Sequence, residues 1–249
     1  MSTEKHITAT QRALAVSFAM ILPSIVTWIY FVSLAGDVSQ SQQIAFGIGK
    51  AIQFAFPLAW VAVFAREPLR RRSESASLAD TRTGLIWGFG SGVLIVLAML
   101  GLYHLILSPN GYFDAANAQI IEKVRGFGVA SRSSFFFLAA FYALVHSGLE
   151  EYYWRWFAFG QLDRLLGFGW AAIISSLGFM AHHVILLAVY FGWSSPLTYF
   201  LSSCVAIGGL IWCWLYRRTG SLTGPWLSHL FVDAGIFLIG YEIVREIFV

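Results

Sequence analysis

Charge is scarce in this chain. Aspartate, glutamate, lysine and arginine make up 12% of its 249 residues, about half the share usual in a soluble domain. That shortage excludes an ordinary water-exposed surface. Cysteine is nearly absent as well: Cys204 and Cys213 are the two present. Nine residues apart on one apolar helix, they would lie about 13 Å from each other, too far to bridge. A disulfide framework is excluded. There is no His-x-x-x-His pair of the zincin kind, and no motif of a nucleic-acid-binding domain. The net charge of +3 comes from arginines clustered between apolar runs, where the positive-inside rule places them. The expected partner is therefore a lipid bilayer and not nucleic acid.

What is present is apolar, at 58% of the chain. About twenty apolar residues span the hydrocarbon core. Candidate spans are Ala13–Ala35, Ile44–Ala65, Gly84–Leu107, Ser133–Leu162, Gly169–Gly192, Pro196–Tyr216 and Pro225–Phe248. The pattern predicts an all-α, polytopic transmembrane bundle of about seven spans. It predicts one domain over residues 1–249, with the motif-bearing core at 133–248. The first run is too long for the h-region of a signal peptide, so no cleavable signal is expected. Pro23 and Pro57 predict kinks. Gly84, Gly88, Gly90 and Gly92 predict close helix contact.

Loop charges set the orientation. Arg66, Arg70, Arg71, Arg72 and Arg82 separate spans two and three, Arg164 follows span four, and Arg217 and Arg218 follow span six. The loops around Asp37 and Ser194 hold no lysine or arginine. The alternation predicts a multi-pass protein of the cell membrane with a cytoplasmic N-terminus. The segment Ser108–Arg132 fits less well, since it carries Lys123, Arg125 and Arg132 on the outer side. Phe113, Ala116, Ile120, Val124 and Phe127 recur there at helical spacing. That segment reads as an interfacial amphipathic helix or as a polar loop.

Against this background, His146–Phe159 stands out because it places Glu150 and Glu151 in an apolar run. A carboxylate at the bilayer centre costs roughly 2.5–3.5 kcal/mol on insertion scales. Adjacent helical residues diverge by about 100°, so the two face differently. Glu151 precedes Arg155 by four, the favoured order for an ion pair, and the pair reads as structural. Glu150 has only His146 on its own helix. Its partners must come from elsewhere.

Span five carries Phe179 and His183 one turn apart, and span seven carries His229 and Asp233 likewise. Ionisable groups inside spans tend to face the interior, pair with one another and mark function. Single histidines such as His104, His182 and His146 read as hydrogen-bonding glue. Glu150, His183, His229 and Asp233 together have the parts for hydrolysis. A buried carboxylate can take a proton from water, an imidazole can share it, and a second imidazole can stabilise an oxyanion.

Glu150-Glu151-x-x-x-Arg155, Phe179-x-x-x-His183 and His229-x-x-x-Asp233, each in its own span, resemble the CPBP (Abi) intramembrane proteases. That family includes the type II CAAX prenyl endopeptidases. The resemblance implies that Glu150 activates water with His183, and that His229 stabilises the oxyanion with Asp233 beside it. It implies a glutamic endopeptidase acting on a membrane-associated peptide or protein, CAAX-like or otherwise, without cofactor or metal. The chain departs from the family's commoner pattern in having Asp233 where asparagine is frequent, and Trp156 where glycine often follows the arginine. Other readings stay open. The same four polar residues are acceptable zinc ligands. A non-catalytic immunity or scaffold protein, or a proton-coupled transporter, would also hold such a cluster. The orientation is testable directly: cysteines placed at Ser75 and Ser194 should label from opposite sides of the membrane, and labelling of both from one side would overturn it.

Overall fold

The computed structural model describes residues 7–36, 40–67, 78–126 and 128–248. Asp37, Arg70, Arg71, Arg72, Ser75 and Phe127 lie outside the described residues. Among the described residues the chain is helical and has no strand. Six helices among the described residues are long and apolar enough to cross a membrane. They are α1 (Ala9–Ser33), α2 (Ser41–Phe64), α3 (Asp80–Leu107), α6 (Phe168–Phe191), α7 (Pro196–Thr219) and α8 (Thr223–Ile247). Leu94, Leu105, Phe137 and Trp170 stand exposed on helix surfaces, as lipid-facing side chains do. The chain is an integral membrane protein of the all-α class.

The remaining two helices are α4 (Asp114–Gly126) and α5, which covers residues 132–166. The expected fourth span falls on α5. It is helical throughout, but as alternating α and π stretches, with Phe141–His146 and Tyr152–Phe159 in the π form. Glu150, Glu151 and Arg155 add three charges to its middle. That separates it from the six helices with an unbroken apolar window.

Local chemistry explains the boundaries. Thr8 caps α1 reciprocally with Gln11, and Ser131 caps α5 with Ser134. Ser195 caps α7, with Pro196 in its first turn and Gly220 closing it in a left-handed conformation. Pro23 lies inside α1 and Pro57 inside α2. Each removes one donor from the helix ladder, and both helices finish in a π turn.

The chain divides into two compact units. The first comprises Met1–Ala76 and Tyr152–Gly220. In it α6 packs against α7 and α1, and α1 against α2. Val16, Phe159, Leu162, Ala171, Ala172 and Cys213 form a buried apolar cluster. At one end Arg12 bonds Glu67 and Gln161, Arg164 shares Glu67, and Arg217 pairs with Asp163.

The second unit comprises Ser77–Glu151 and Ser221–Val249. Here α3 lies along α8. Their contact is so close that a Cβ on Gly88 would stand 2.4 Å from the carbonyl oxygen of Gly224. Ser91 and Ser228 hydroxyls meet at 3.0 Å across the same seam. The helix α4 forms as its periodicity predicts. Its Ile120 and Val124 pack on Val129, Phe135 and Val244, so these two side chains cover protein rather than lipid.

This seam predicts an asymmetric response to two small substitutions. Gly88→Ala forces a methyl onto backbone and should destabilise the protein by roughly 1–3 kcal/mol. Gly90→Ala, with nothing within 4 Å of the added atom, should not. Thermal unfolding in detergent measures both.

Candidate active site

The second unit gathers the carboxylates. Glu150 and Glu151 are both buried on α5, at 4% and 0% exposure. Across from them α8 brings His229, itself buried, with Asp233 one turn later. Nδ1 of His229 lies 2.8 Å from Oε1 of Glu151, a hydrogen bond. Nε2 of the same ring lies 3.5 Å from Oδ1 of Asp233 and 3.7 Å from Oε2 of Glu150. The other oxygen of Glu150 is 3.8 Å from Nε2 of His146. Two anchors hold α8 to this part of α5. The Trp226 indole N–H donates to the Leu144 carbonyl at 3.0 Å, and a Cβ on Gly148 would come within 3.3 Å of that indole. Ser147 donates its hydroxyl proton to the Ala143 carbonyl on its own helix, which occupies it structurally.

The sequence reading assigned Glu151 to an ion pair with Arg155 and gave it no part at the histidine. Its hydrogen bond to Nδ1 of His229 was not foreseen, since helical neighbours diverge. Imidazole nitrogens diverge too. Glu151 meets Nδ1 while Glu150 faces Nε2, so two long side chains pointing apart close on opposite edges of one ring. A carboxylate at 2.8 Å keeps a proton on Nδ1.

The first unit holds the other motif residues. Nδ1 of His183 lies 2.9 Å from the Phe179 carbonyl, which accepts its proton and leaves Nε2 with a lone pair. The Phe179 ring stands edge-on to His183, with centroids 4.8 Å apart. Phe179 and Trp212 form a corner, 6.0 Å apart at 66°. The Arg155 guanidinium fills it, 4.7 Å from one ring and 4.8 Å from the other. A desolvated contact of this kind is worth about 2 kcal/mol or more. Trp212 was not foreseen, and no spacing in the sequence marks it. His182 is buried and stacks on Trp154 at 6°. His104 pairs with Glu242 at 3.5 Å.

The structure thus brings Glu150, Glu151, His229 and Asp233 together, with His146 added. Phe179, His183 and Arg155 are gathered in the other unit. Among the described residues, no three His, Cys, Asp or Glu side chains are placed to share a metal ion.

A membrane-spanning helical protein with a buried carboxylate–imidazole cluster is the class these features define. Residues 132–235 match the family model described as type II CAAX prenyl endopeptidase Rce1-like. The matched segment contains all three motifs, so the resemblance to the CPBP proteases holds over it and supports a peptidase of the CAAX type. Comparison with curated proteins gave no match, and comparison with solved structures gave none.

The Glu151–His229 bond generates its own test. Glu151→Leu leaves the His229 Nδ1–H buried without its acceptor, at a cost of about 1–3 kcal/mol. The expected result is a lower unfolding temperature in detergent, with Glu151→Gln milder because its amide oxygen still accepts.

Proposed function

We propose that this chain is an intramembrane glutamic endopeptidase that hydrolyses a peptide bond of a membrane-associated, CAAX-like substrate. The observation that carries the reading is the convergence of Glu150, His229 and Asp233 within one helical unit, inside the segment that matches the Rce1-like family. Glu150 takes a proton from water as the oxygen attacks the scissile carbonyl. By the resemblance, His183 takes the part of sharing that proton, which passes to the leaving nitrogen as the C–N bond breaks; its own Nδ1 is held by the Phe179 carbonyl. His229, oriented by Glu151 through Nδ1, acts as the doubly protonated imidazolium and donates its second proton, on Nε2, to the oxygen on which negative charge develops. No metal or cofactor takes part. The protein sits in the cell membrane with its N-terminus in the cytoplasm, in keeping with the arginine-rich loops.

Asp233 stands where an asparagine would donate directly to that oxygen. An ionised carboxylate cannot donate, and its charge opposes the oxyanion. Asp233 therefore serves in one of two ways: as a neutral acid that donates, or as the partner that orients His229 from 3.5 Å. In both, it supplies or supports a hydrogen bond and takes no proton from water.

Cleavage of a fluorogenic prenylated CAAX-type peptide in detergent or vesicles, with folding checked for each variant, tests the division of labour. Glu150→Gln should abolish hydrolysis while the protein stays folded. Asp233→Asn should keep substantial activity, and Asp233→Ala should lose on the order of 10²-fold, as for a missing oxyanion donor. Full activity in Glu150→Gln would overturn the assignment of the base. A folded but inactive Asp233→Asn would make Asp233 a base or a ligand instead.

A further inference from the structure

Glu150 is flanked by an imidazole on each side, and the two rings are differently engaged. His229 meets three carboxylates: Glu151 at Nδ1, and Asp233 and Glu150 at Nε2. His146 stands one turn before Glu150 on α5 and aims Nε2 at Oε1, the oxygen other than the one facing His229, from 3.8 Å. Its ring is clamped. Tyr142 lies against it with centroids 4.9 Å apart at 48°, and Phe237 of α8 lies against Tyr142 at 5.4 Å and 39°. His146 closes the π-helical stretch Phe141–His146, and π turns inside helices concentrate at functional sites.

We propose that His146 is a positioning residue for Glu150, orienting the carboxylate from the oxygen that His229 does not face. The proposal rests on the reading of Glu150 as the general base. Physically, a glutamate has three free torsions, and an anchor on one oxygen leaves the other to swing. A base must hold an oxygen within about 2.6–3.2 Å of its water, and a misplacement of about 1 Å costs on the order of 10²-fold. At 3.8 Å, a small rotation or one bridging water completes a hydrogen bond from His146. The aromatic clamp from Tyr142 and Phe237 supplies the rigidity that makes such an anchor useful. A histidine acting as plain helix glue needs no such aim at the carboxylate.

The test uses the full-length protein and the prenylated CAAX-type peptide, with kcat and KM measured separately. His146→Phe keeps the ring against Tyr142 and removes the donor. It should lower kcat by about 10- to 100-fold with KM within about twofold, because only the reacting geometry is lost. His146→Gln places an amide N–H near the position of Nε2 and should recover most of kcat. Should His146→Phe fail to fold, Tyr142→Leu replaces it. Releasing the clamp should lower kcat in the same direction with KM kept. A folded His146→Phe or Tyr142→Leu with wild-type kcat overturns the proposal, and so does a His146→Gln as impaired as His146→Phe. Glu150→Gln in the same assay separates the two claims. If it is inactive while His146→Phe is fully active, only the role of His146 fails; if Glu150→Gln is itself active, the reading beneath it fails.

Discussion

The hydrogen bond between Nδ1 of His229 and Glu151 is the constraint on which the candidate site depends. Both groups are buried, and in a low-dielectric bundle an unpaired polar group is costly. Once Glu151 claims Nδ1, the ring has one orientation left, with Nε2 toward Glu150 and Asp233. The glutamate next in sequence to the catalytic candidate thus decides what the facing histidine offers. Close contact of α3 with α8 serves the same end. Gly88 against Gly224 and Ser91 against Ser228 fix the neighbours of the turn that carries His229.

The other unit solves a similar problem with different chemistry. Arg155 is 1% exposed, and two aromatic faces lie against its guanidinium. Phe179 links that corner to His183 twice over, through its ring and through its carbonyl. One residue therefore supports a cation on one side and sets a tautomer on the other. This gives a physical reason for a phenylalanine one turn before the histidine. A leucine would fill the space but offer neither a cation-binding face nor an edge to the imidazole.

Much of this was legible in the sequence, and the failures have definite causes. Six of the seven expected spans are long apolar helices, because hydropathy reports burial in lipid directly. The seventh expectation fell on α5, where three charges and two π stretches break the pattern that hydropathy reads. Motif spacing placed His229 and Asp233 on one face, since one turn of helix is a local matter. The contact of Glu151 with His229 was not foreseen because a helical wheel records where a side chain starts and not where a long one ends. His146 was visible one turn from Glu150, but the ring that clamps it owes its own support to Phe237 on a distant helix. Trp212 left no trace, since its contact with Arg155 exists only once α6 and α7 have packed. The glycines of span three did announce a close approach, although Gly224 as the backbone it meets could not be named in advance.

The π stretches of α5 have a consequence for how this helix tolerates change. A π turn holds more residues per revolution than the 3.6 of an α-helix. Phe141–His146 and Tyr152–Phe159 therefore act as phase shifters on either side of the short α segment Ser147–Glu151. The apolar stripe before Glu150 and the one after it run on different angular clocks, joined through five residues that carry both glutamates. Point substitutions leave those clocks alone. Removal of a single residue within a π stretch lets that turn return to the α period with both ends nearly in place, whereas removal from a plain α stretch turns one end of the helix by about 100° against the other. In this chain, length within α5 is as much a part of the site as the identity of its side chains.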